Sequence, residues 1–538
     1  MKVLFLCIFV IFLFYKSTYI ADMSVGKSIF VNQIGYAKNK TKFAYVRKND
    51  VSSSSFLIKD SNGQIVYTGE LSAEKTDRLA GEPICVANFS DFTQEGSFTL
   101  WVDDKSSFEF PIDDDVYNHL YYLTNRYFYL SRCGQKIVDD DFGHEPCHTS
   151  KALIYGTNEY IDVQGGWHDA GDYGRYIVAG AKTVMDLLLA YQESKDSYKD
   201  FDILDEVRFE LEWMLQMQRP DGGVYHKISC WHFCGFIMPE EEKDEIVLAP
   251  VSTSATADFA GSLAFASKFY KDSDSEFAKK LLDAALKAQE YLDCHEDELY
   301  TNPAGITTGG YGDKDVSDER YFALCALYAA TKNETFYQKA MNIRKNHSNW
   351  VEAFSWACVS AYGTEILIKE TDAEAKDELK NSILQTADKV LEIVNNASFG
   401  TSLIKAYWGC NGGVCDYAHI LLLAHDFSGK AEYYEAAKKQ LDYLLGCNPL
   451  SVCYVTGIGK NPTQKPHHRP SGFLQKTMPG MLAGGPSEWA ADEVTKKIID
   501  GKAPLACYAD VYESFCTNEI AIYWNSPLVY IIAKLKLV

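Results

Sequence analysis

Two aspartates separated only by Ala170-Gly171, Asp169 and Asp172, lie in the stretch GGWHDAGDYGRY from Gly165 to Tyr176. Carboxylates this close repel, so either one proton is held tightly or both stay ionised around a bound water. The small residues between them leave room for that water, and a carboxylate that orients water and takes its proton is a general base. Trp167, Tyr173 and Tyr176 flank the pair and would offer the flat apolar faces on which sugar rings stack. A third carboxylate, Glu519, stands just before IAIYWNSPLVYIIA. Burial against so apolar a segment would raise its pKa and keep it protonated near neutrality, as a general acid must be. Each residue alone also fits a plain role, the aspartates as helix caps and the glutamate as a helix-start acid favoured by the macrodipole.

A second constellation consists of Cys133, Cys147, His148 and His168. Two thiolates and two imidazoles make a closed tetrahedral zinc set with no open position, hence a structural site. The spacing is not that of a zinc finger, and a Cys133–Cys147 disulfide fits it equally well. TTGGYGDKDVSDE supplies Asp313, Asp315, Asp318 and Glu319 with backbone carbonyls from Gly and Val, hard oxygen ligands in a Gly-rich loop that would suit calcium; a solvated acidic loop ahead of a helix is the other reading. The chain holds 15 cysteines, and Cys230/Cys234, Cys410/Cys415 and Cys447/Cys453 are candidate disulfides in an oxidising compartment. Sequons stand at Asn39, Asn88, Asn333, Asn346 and Asn396, acceptors for glycans in a eukaryotic host.

The elements that must position these residues divide the chain in two. From about Ser24 to Pro111, the runs SIFVNQIGY, KFAYVRK, SSFLIKD, QIVYTGEL and GSFTLWVDD alternate apolar and polar residues between turn signals, the pattern of a small immunoglobulin-like β-sandwich over 24–111. From Tyr117 onward the period becomes helical and stays so, with little strand signal between helices. Eleven or so helices joined by Gly-rich loops predict a mostly α fold, a ring of helical hairpins forming an α/α barrel over 115–538, with its loops gathered at one end. A length of 538 residues fits two domains. Lys2 followed by an apolar run from Val3 to Tyr15 reads as a secretory signal over 1–21, too short for a comfortable membrane span, although an uncleaved anchor has the same look. The net charge of −22, with no long basic run, argues against nucleic acid and against an anionic membrane surface. An uncharged polymer suits the aromatic content of 14% better. The expectation is therefore a secreted monomer with no membrane attachment once the signal is removed.

Taken together, GGWHDAGDYGRY and TNEIAIYWNSPL resemble the two catalytic signatures of glycoside hydrolase family 9, the cellulase family with an (α/α)6 barrel. Between them, CNPLSVCYVTGIG and KPHHRPSG resemble that family's Asn-Pro and His-His-Arg segments in the right order, and MQRPDGGVYHK, VSTSATADFAGSLAFASKFY and MLAGGPSE also fit. VNQIGY resembles the immunoglobulin-like domain that precedes the barrel in one branch, so the likeness spans nearly the whole chain beyond the leader. The resemblance implies Asp172 as general base, Asp169 as the acid that helps hold the water, and Glu519 as general acid. It implies inversion at the anomeric carbon, which needs carboxyl groups roughly 6.5–9.5 Å apart. It further implies sugar contacts from His467 and Arg469, and from Trp524, where the family pattern usually has Tyr. In the immunoglobulin-bearing branch it implies zinc on Cys133, Cys147, His148 and His168, and the family often binds calcium near Thr307–Glu319. No catalytic cofactor is implied. The activity implied is endo-1,4-β-glucanase; a cellobiohydrolase, a hydrolase of mixed-linkage glucan, xyloglucan or glucosamine oligomers, a catalytically dead glycan-binding protein and a surface structural protein are the alternatives.

Overall fold

The computed structural model describes residues 27–347, 350–371 and 373–538; the expected leader, with Cys7, lies outside them. The N-terminal region is a sandwich of two antiparallel sheets. β1 (Ile29–Phe30), β2 (Phe43–Arg47) and β5 (Ile84–Asn88) form one, in the order β1-β2-β5. β3 (Ser55–Asp60), β4 (Ile65–Glu70), β6 (Gly96–Val102) and β7 (Lys105–Ser106) form the other, in the order β4-β3-β6-β7, with β8 (Phe110–Ile112) also on β6. Alternate residues of β3 and β6, such as Phe56, Ile58, Phe98 and Leu100, point into the shared core, as the two-residue period requires. β5, β7 and β8 add to the runs read from the sequence.

The outer face of the β1-β2-β5 sheet is itself buried, against the helical region. Phe30 and Tyr45 pack on Phe399, and VNQIGY inserts its polar pair between the domains. Asn32 Nδ2 donates to Asp442 Oδ1 (2.7 Å) and Gln33 Nε2 donates to the Ser451 carbonyl (2.7 Å).

Twelve long helices follow among the described residues: α1 (Asn118–Leu130), α2 (Ile177–Ser194), α3 (Ile203–Gln216), α4 (Thr253–Tyr270), α5 (Ser275–Cys294), α6 (Ser317–Thr331), α7 (Glu334–Asn346), α8 (Ser360–Glu370), α9 (Ala373–Asn396), α10 (Cys410–Ser428), α11 (Ala431–Leu444) and α15 (Ile522–Lys534). Between α11 and α15 come the short α12 (Arg469–Leu474), α13 (Thr495–Ile498) and α14 (Phe515–Asn518). α2, α4, α6, α8, α10 and α15 form an inner ring and are buried over most of their length. Helices apolar on all sides belong inside, and the amphipathic α1, α3, α5, α7, α9 and α11 surround them. This is the (α/α)6 barrel.

A buried polar cluster ties the inner ring together. Lys182 of α2 pairs with Asp186 (2.8 Å) and with Asp416 of α10 (3.0 Å), while Asp186 also accepts from Tyr362 of α8 (2.5 Å) and Ser526 of α15 (2.8 Å). Four helices thus share one buried polar node in which Lys182 faces two carboxylates, so removing Lys182 would leave both without their cation.

The helical region also contains a small sheet that the sequence reading left out. β9 (Ala152–Ile154), β10 (Tyr160–Ile161), β11 (Arg175–Tyr176), β12 (Lys227–Cys230) and β13 (Ile246–Leu248) pair in the order β10-β9-β13-β12-β11. Strands of two to four residues are too short to show a period. The sheet matters because β11 leads directly from Asp172 into α2.

No helix among the described residues is long and apolar enough to cross a membrane. All 14 cysteines there are free thiols, so the structure contains none of the disulfides considered above.

Candidate active site

Asp169 and Asp172 lie on the loop between the Gly165–Gly166 turn and β11, and Glu519 lies in the extended link between α14 and α15. Neither aspartate is a helix cap, and Glu519 follows α14 as its C-cap residue rather than opening α15. α2 begins at Ile177 after Tyr176 with no side-chain cap, and α15 begins only at Ile522. The distant segments are stitched together by main chain. Ile522 N–H donates to the Asp169 carbonyl (2.7 Å), Arg469 N–H to the Gly171 carbonyl (3.2 Å), and His467 N–H to the Asn518 carbonyl (2.8 Å). Gly171 is required by this approach, since a Cβ there would sit 2.1 Å from the His467 carbonyl oxygen.

The three carboxylates face one cavity of about 610 Å³, which His467, Arg469 and Trp524 also line. Its walls are rings: Tyr176, Phe233, Tyr311, Trp356, Trp408, Trp489, Phe515 and Tyr523. A second recess of about 350 Å³ continues from it past the shared Trp356, Trp408, Tyr523 and Trp524. Of the three rings beside the aspartates, only Tyr176 belongs to this cavity. Trp167 is a core residue whose N–H groups go to Glu206 and Glu210 (both 2.7 Å), and the Tyr173 hydroxyl is spent on the Ile237 carbonyl.

Each aspartate uses one oxygen for the protein. Asp172 Oδ2 accepts from Gly174 N–H (3.0 Å) and the Tyr176 hydroxyl (3.2 Å), while Asp169 Oδ2 accepts from the Tyr311 hydroxyl (2.6 Å). Asp169 Oδ1 is buried with no protein partner, an acceptor turned to whatever the cavity holds. Burial raises both carboxyls, and the charge of Asp172 raises Asp169 further. The Arg469 guanidinium, the Gly174 N–H and the Tyr176 hydroxyl counter burial at Asp172, so Asp172 ionises more readily of the two. Glu519 is pushed well up, first by burial and then by the negative charges of Asp172 and Asp169. Its carboxyl accepts one hydrogen bond, from the Trp408 indole N–H to Oε2 at 3.0 Å.

The remaining residues hold this arrangement. His467 Nδ1 lies 2.5 Å from the Tyr512 carbonyl, which makes Nδ1 the donor and leaves Nε2 free. Arg469 donates to the carbonyls of Gly171 (2.6 Å) and Cys234 (3.1 Å), so it clamps the aspartate loop as well as lining the cavity. Trp524 is wedged where Cβ atoms at Gly409 and Gly412 would each fall 2.4 Å from its ring. Lys227 on β12 donates to Asn302, Thr308 and Gly309, fixing the loop that carries Tyr311. Tyr311 itself has φ 49°, a left-handed conformation uncommon for a bulky residue and characteristic of functional strain. Tyr311 and Trp408 were absent from the sequence reading; the flanking glycines of GGYG were the one available hint.

Next to the aspartate loop, Cys133, Cys147, His148 and His168 converge with their ligand atoms within 4.8 Å of one another, all four residues buried. Cys133 Sγ is 3.6 Å from Cys147 Sγ and from His148 Nδ1, and Cys147 Sγ is 3.6 Å from His168 Nε2. Zinc bonds of about 2.3 Å to sulfur and 2.0–2.1 Å to nitrogen give tetrahedral edges of roughly 3.5–3.8 Å, so the donor set fits that ion. A disulfide would need about 2.05 Å between the sulfurs. A second potential metal group, His148, Cys230 and Glu242, shares His148. Glu242 Oε2 lies 2.8 Å from His148 Nε2, which makes it the carboxylate that orients a ligating imidazole.

The acidic segment Thr307–Glu319 is divided between surface and interior. Asp315 is exposed; it accepts from Ser317 N–H and faces His347. Asp258 of α4 is buried with neither oxygen hydrogen-bonded, and it lies close enough to Asp318 and Asp313 for their charges to raise its carboxyl. Both Glu319 oxygens and Asp313 Oδ2 are likewise buried without partners. Asp318 completes the group, giving Val359 N–H one acceptor at 2.7 Å. Buried, unpartnered carboxylate oxygens of this kind suit a hard cation.

A helical barrel that brings separate carboxylates together in a ring-lined cavity suits the hydrolysis of a polysaccharide. Residues 117–532 match the model of glycosyl hydrolase family 9, and residues 24–107 that of the cellulase N-terminal ig-like domain. The chain is 35% identical to a cellodextrinase of Butyrivibrio fibrisolvens, over 94% of this chain and 98% of that one. It is 33% identical to endoglucanase D of Acetivibrio thermocellus, over 94% and 82%. Among solved structures, a single mutant of a thermostable endoglucanase from Alicyclobacillus acidocaldarius superposes with a TM-score of 0.88 at 32% identity, covering 95% of this chain and 99% of that one. A zinc-binding triple mutant of the family 9 endoglucanase J30 does so with a TM-score of 0.88 at 30% identity, covering 93% and 99%. The chain belongs to glycosyl hydrolase family 9, and it is a glycoside hydrolase acting on β-glucan.

Proposed function

We propose that this enzyme hydrolyses internal β-1,4-glucosidic bonds of cellulose or related β-glucans with inversion. Asp172 is the general base, Asp169 shares the attacking water, and Glu519 is the general acid. The observation that carries the reading is the division of labour among the three carboxyls. The Asp172 carboxyl lies beside a guanidinium and two hydrogen-bond donors, whereas burial and two like charges favour the neutral form of Glu519. A water held between the free oxygens of the aspartates would be deprotonated as it attacks the anomeric carbon, while Glu519 protonates the departing oxygen. His467, Arg469 and Trp524 contact the sugars flanking the scissile bond, and the aromatic recess receives a neighbouring ring.

We assign residues 24–111 to the immunoglobulin-like domain and 115–538 to the barrel, with a secretory leader over 1–21 and a monomeric, extracellular enzyme as product. Cys133, Cys147, His148 and His168 would hold a structural zinc that ties the preceding loop to the one bearing the aspartates. Asp258, Asp313, Asp318 and Glu319 lie close enough to feel one another's charge, and a structural calcium among them would relieve that repulsion.

Reducing-sugar release from soluble cellulose by the wild type and by Glu519→Ala tests the activity; a wild type that releases nothing refutes it. Polarimetry on a cellooligosaccharide tests inversion, and an initial β-product would exclude it. Viscosity loss set against sugar release on one soluble glucan distinguishes internal from terminal attack.

A further inference from the structure

The Glu519 carboxyl accepts a single hydrogen bond among the described residues, at Oε2 from Trp408 Nε1. The partners lie 111 positions apart in the sequence, and the indole is braced. Its ring sits 5.3 Å from that of Phe515 and 5.8 Å from that of Trp489. Gly409, which follows it, adopts φ 82° as the cap of α10, so the backbone turns sharply after Trp408 and α10 anchors its position.

A neutral carboxylic acid has one oxygen that carries the proton and one that only accepts. An indole N–H is a donor and nothing else, so the oxygen facing it must be the acceptor. We propose that Trp408 is a positioning residue for acid catalysis: it commits Oε2 to accepting and thereby places the acidic proton on Oε1, the oxygen left for the glycosidic bond. This rests on the reading of Glu519 as general acid. In the step itself, the Oε1–H bond breaks as the proton passes to the glycosidic oxygen. That oxygen keeps the electron pair of the cleaved carbon–oxygen bond, and the new carboxylate remains hydrogen-bonded to the indole. The same N–H therefore stabilises the charge that develops on Glu519, and it opposes the burial that raises the carboxyl.

Three properties of Trp408→Phe, and of a protein carrying benzothienylalanine at 408 (the same shape without the N–H), test the proposal. With cellotetraose, kcat should fall about 10- to 100-fold, less than the roughly 10²–10³ for a donor aimed at a full oxyanion, because the charge on Glu519 is only partly developed in the transition state. With 2,4-dinitrophenyl cellobioside, whose leaving group departs without a proton, the fall should stay within about threefold. The alkaline limb of kcat/KM should move to higher pH, because the ionised form has lost its donor. A merely structural role would raise KM on both substrates, or would move the limb down as water reached Glu519; either result overturns the proposal. Benzothienylalanine behaving as the wild type overturns it as well. Glu519→Ala, run in parallel, separates the two claims. If it retains wild-type kcat on cellotetraose, the general-acid reading fails; if it loses activity while both 408 variants keep wild-type kcat on that substrate, only the role of Trp408 fails.

Discussion

The two sides of the cleft are held in different ways. On the aspartate side, the side chains accept from Gly174, Tyr176 and Tyr311, and the loop is bonded through main chain to α15 and to the Arg469 segment. It also abuts the Cys133–Cys147–His148–His168 cluster. On the glutamate side, the carboxyl has one donor, and the wall beside it includes Trp489, which is 59% exposed. A base that must hold water in line with the anomeric carbon needs its geometry over-determined. An acid that must release and regain a proton needs a preference between protonation states more than it needs many bonds, since each added donor would favour the ionised form.

Removing the function of either side should produce the largest effects. Asp172→Ala and Glu519→Ala are each expected to lower kcat on cellooligosaccharides by about 10²–10⁴-fold. The two sides separate with 2,4-dinitrophenyl cellobioside, on which Glu519→Ala should recover most of its activity and Asp172→Ala none, because water must still be activated. Equal losses on both substrates would contradict the assignment of roles. In the wild type, activity should fall at low pH as Asp172 takes up a proton and at high pH as Glu519 loses one. Both limbs should lie above those of ordinary carboxyls, since burial raises both groups.

Loosening the support of the aspartate side should come next. Cys147→Ser removes one of four ligands, and the purified variant should lose a zinc content that is near one equivalent in the wild type. It should unfold at a lower temperature and lose about 10- to 100-fold in activity, as when a metal's supporting shell is disturbed. A wild type without zinc, or a crosslink between Cys133 and Cys147 found by mass spectrometry, would remove this pin from the aspartate side.

The sequence disclosed the sides unequally, for the same physical reason. Asp169, Asp172, His168 and Tyr176 fall in one short segment, so their chemistry could be read from neighbours in the chain. Tyr311 and Trp408 reach Asp169 and Glu519 from 142 and 111 positions away, and a single side chain in a loop leaves no periodic trace. Asp258 was hidden in the same way, in the middle of the apolar α4. The barrel was legible because inner and outer helices repeat apolar residues at helical spacing. α7 escaped because Ala340 is its one buried residue, and the five-stranded sheet escaped because its strands are shorter than a readable alternation.

The cost of keeping Glu519 neutral should be visible in stability. Its folded carboxyl titrates well above the ordinary value because of burial and the two aspartate charges. Below the unfolded pKa of about 4.3 both states are protonated and Glu519 costs nothing. As pH rises, the unfolded chain ionises first, and the folded protein loses relative stability until pH passes the folded pKa. Glu519→Gln removes that penalty, so it should raise the unfolding temperature at pH 7 and have little effect at pH 4. A constant offset across that range would mean that packing, rather than charge, distinguishes the variants.

The smallest effect should come from the sandwich, which reaches the glutamate side through Arg78. Arg78, between β4 and β5, donates to Glu488 at 2.6 and 3.2 Å, and Glu488 Oε2 accepts from Ala406 N–H at 3.1 Å. Glu488 precedes the cavity residue Trp489, and Ala406 lies two positions before Trp408, so the fork holds the two glutamate-side loops together. The pair is exposed, and salt should screen it with a decay length of about 8–10 Å. Arg78→Ala should therefore lower kcat by roughly twofold at low ionic strength, with the difference vanishing as salt is added to the wild type. The aspartate side lies outside this contact, so zinc content and the acidic limb of the pH profile should stay unchanged. A shift in either would show that the sandwich supports both sides of the cleft.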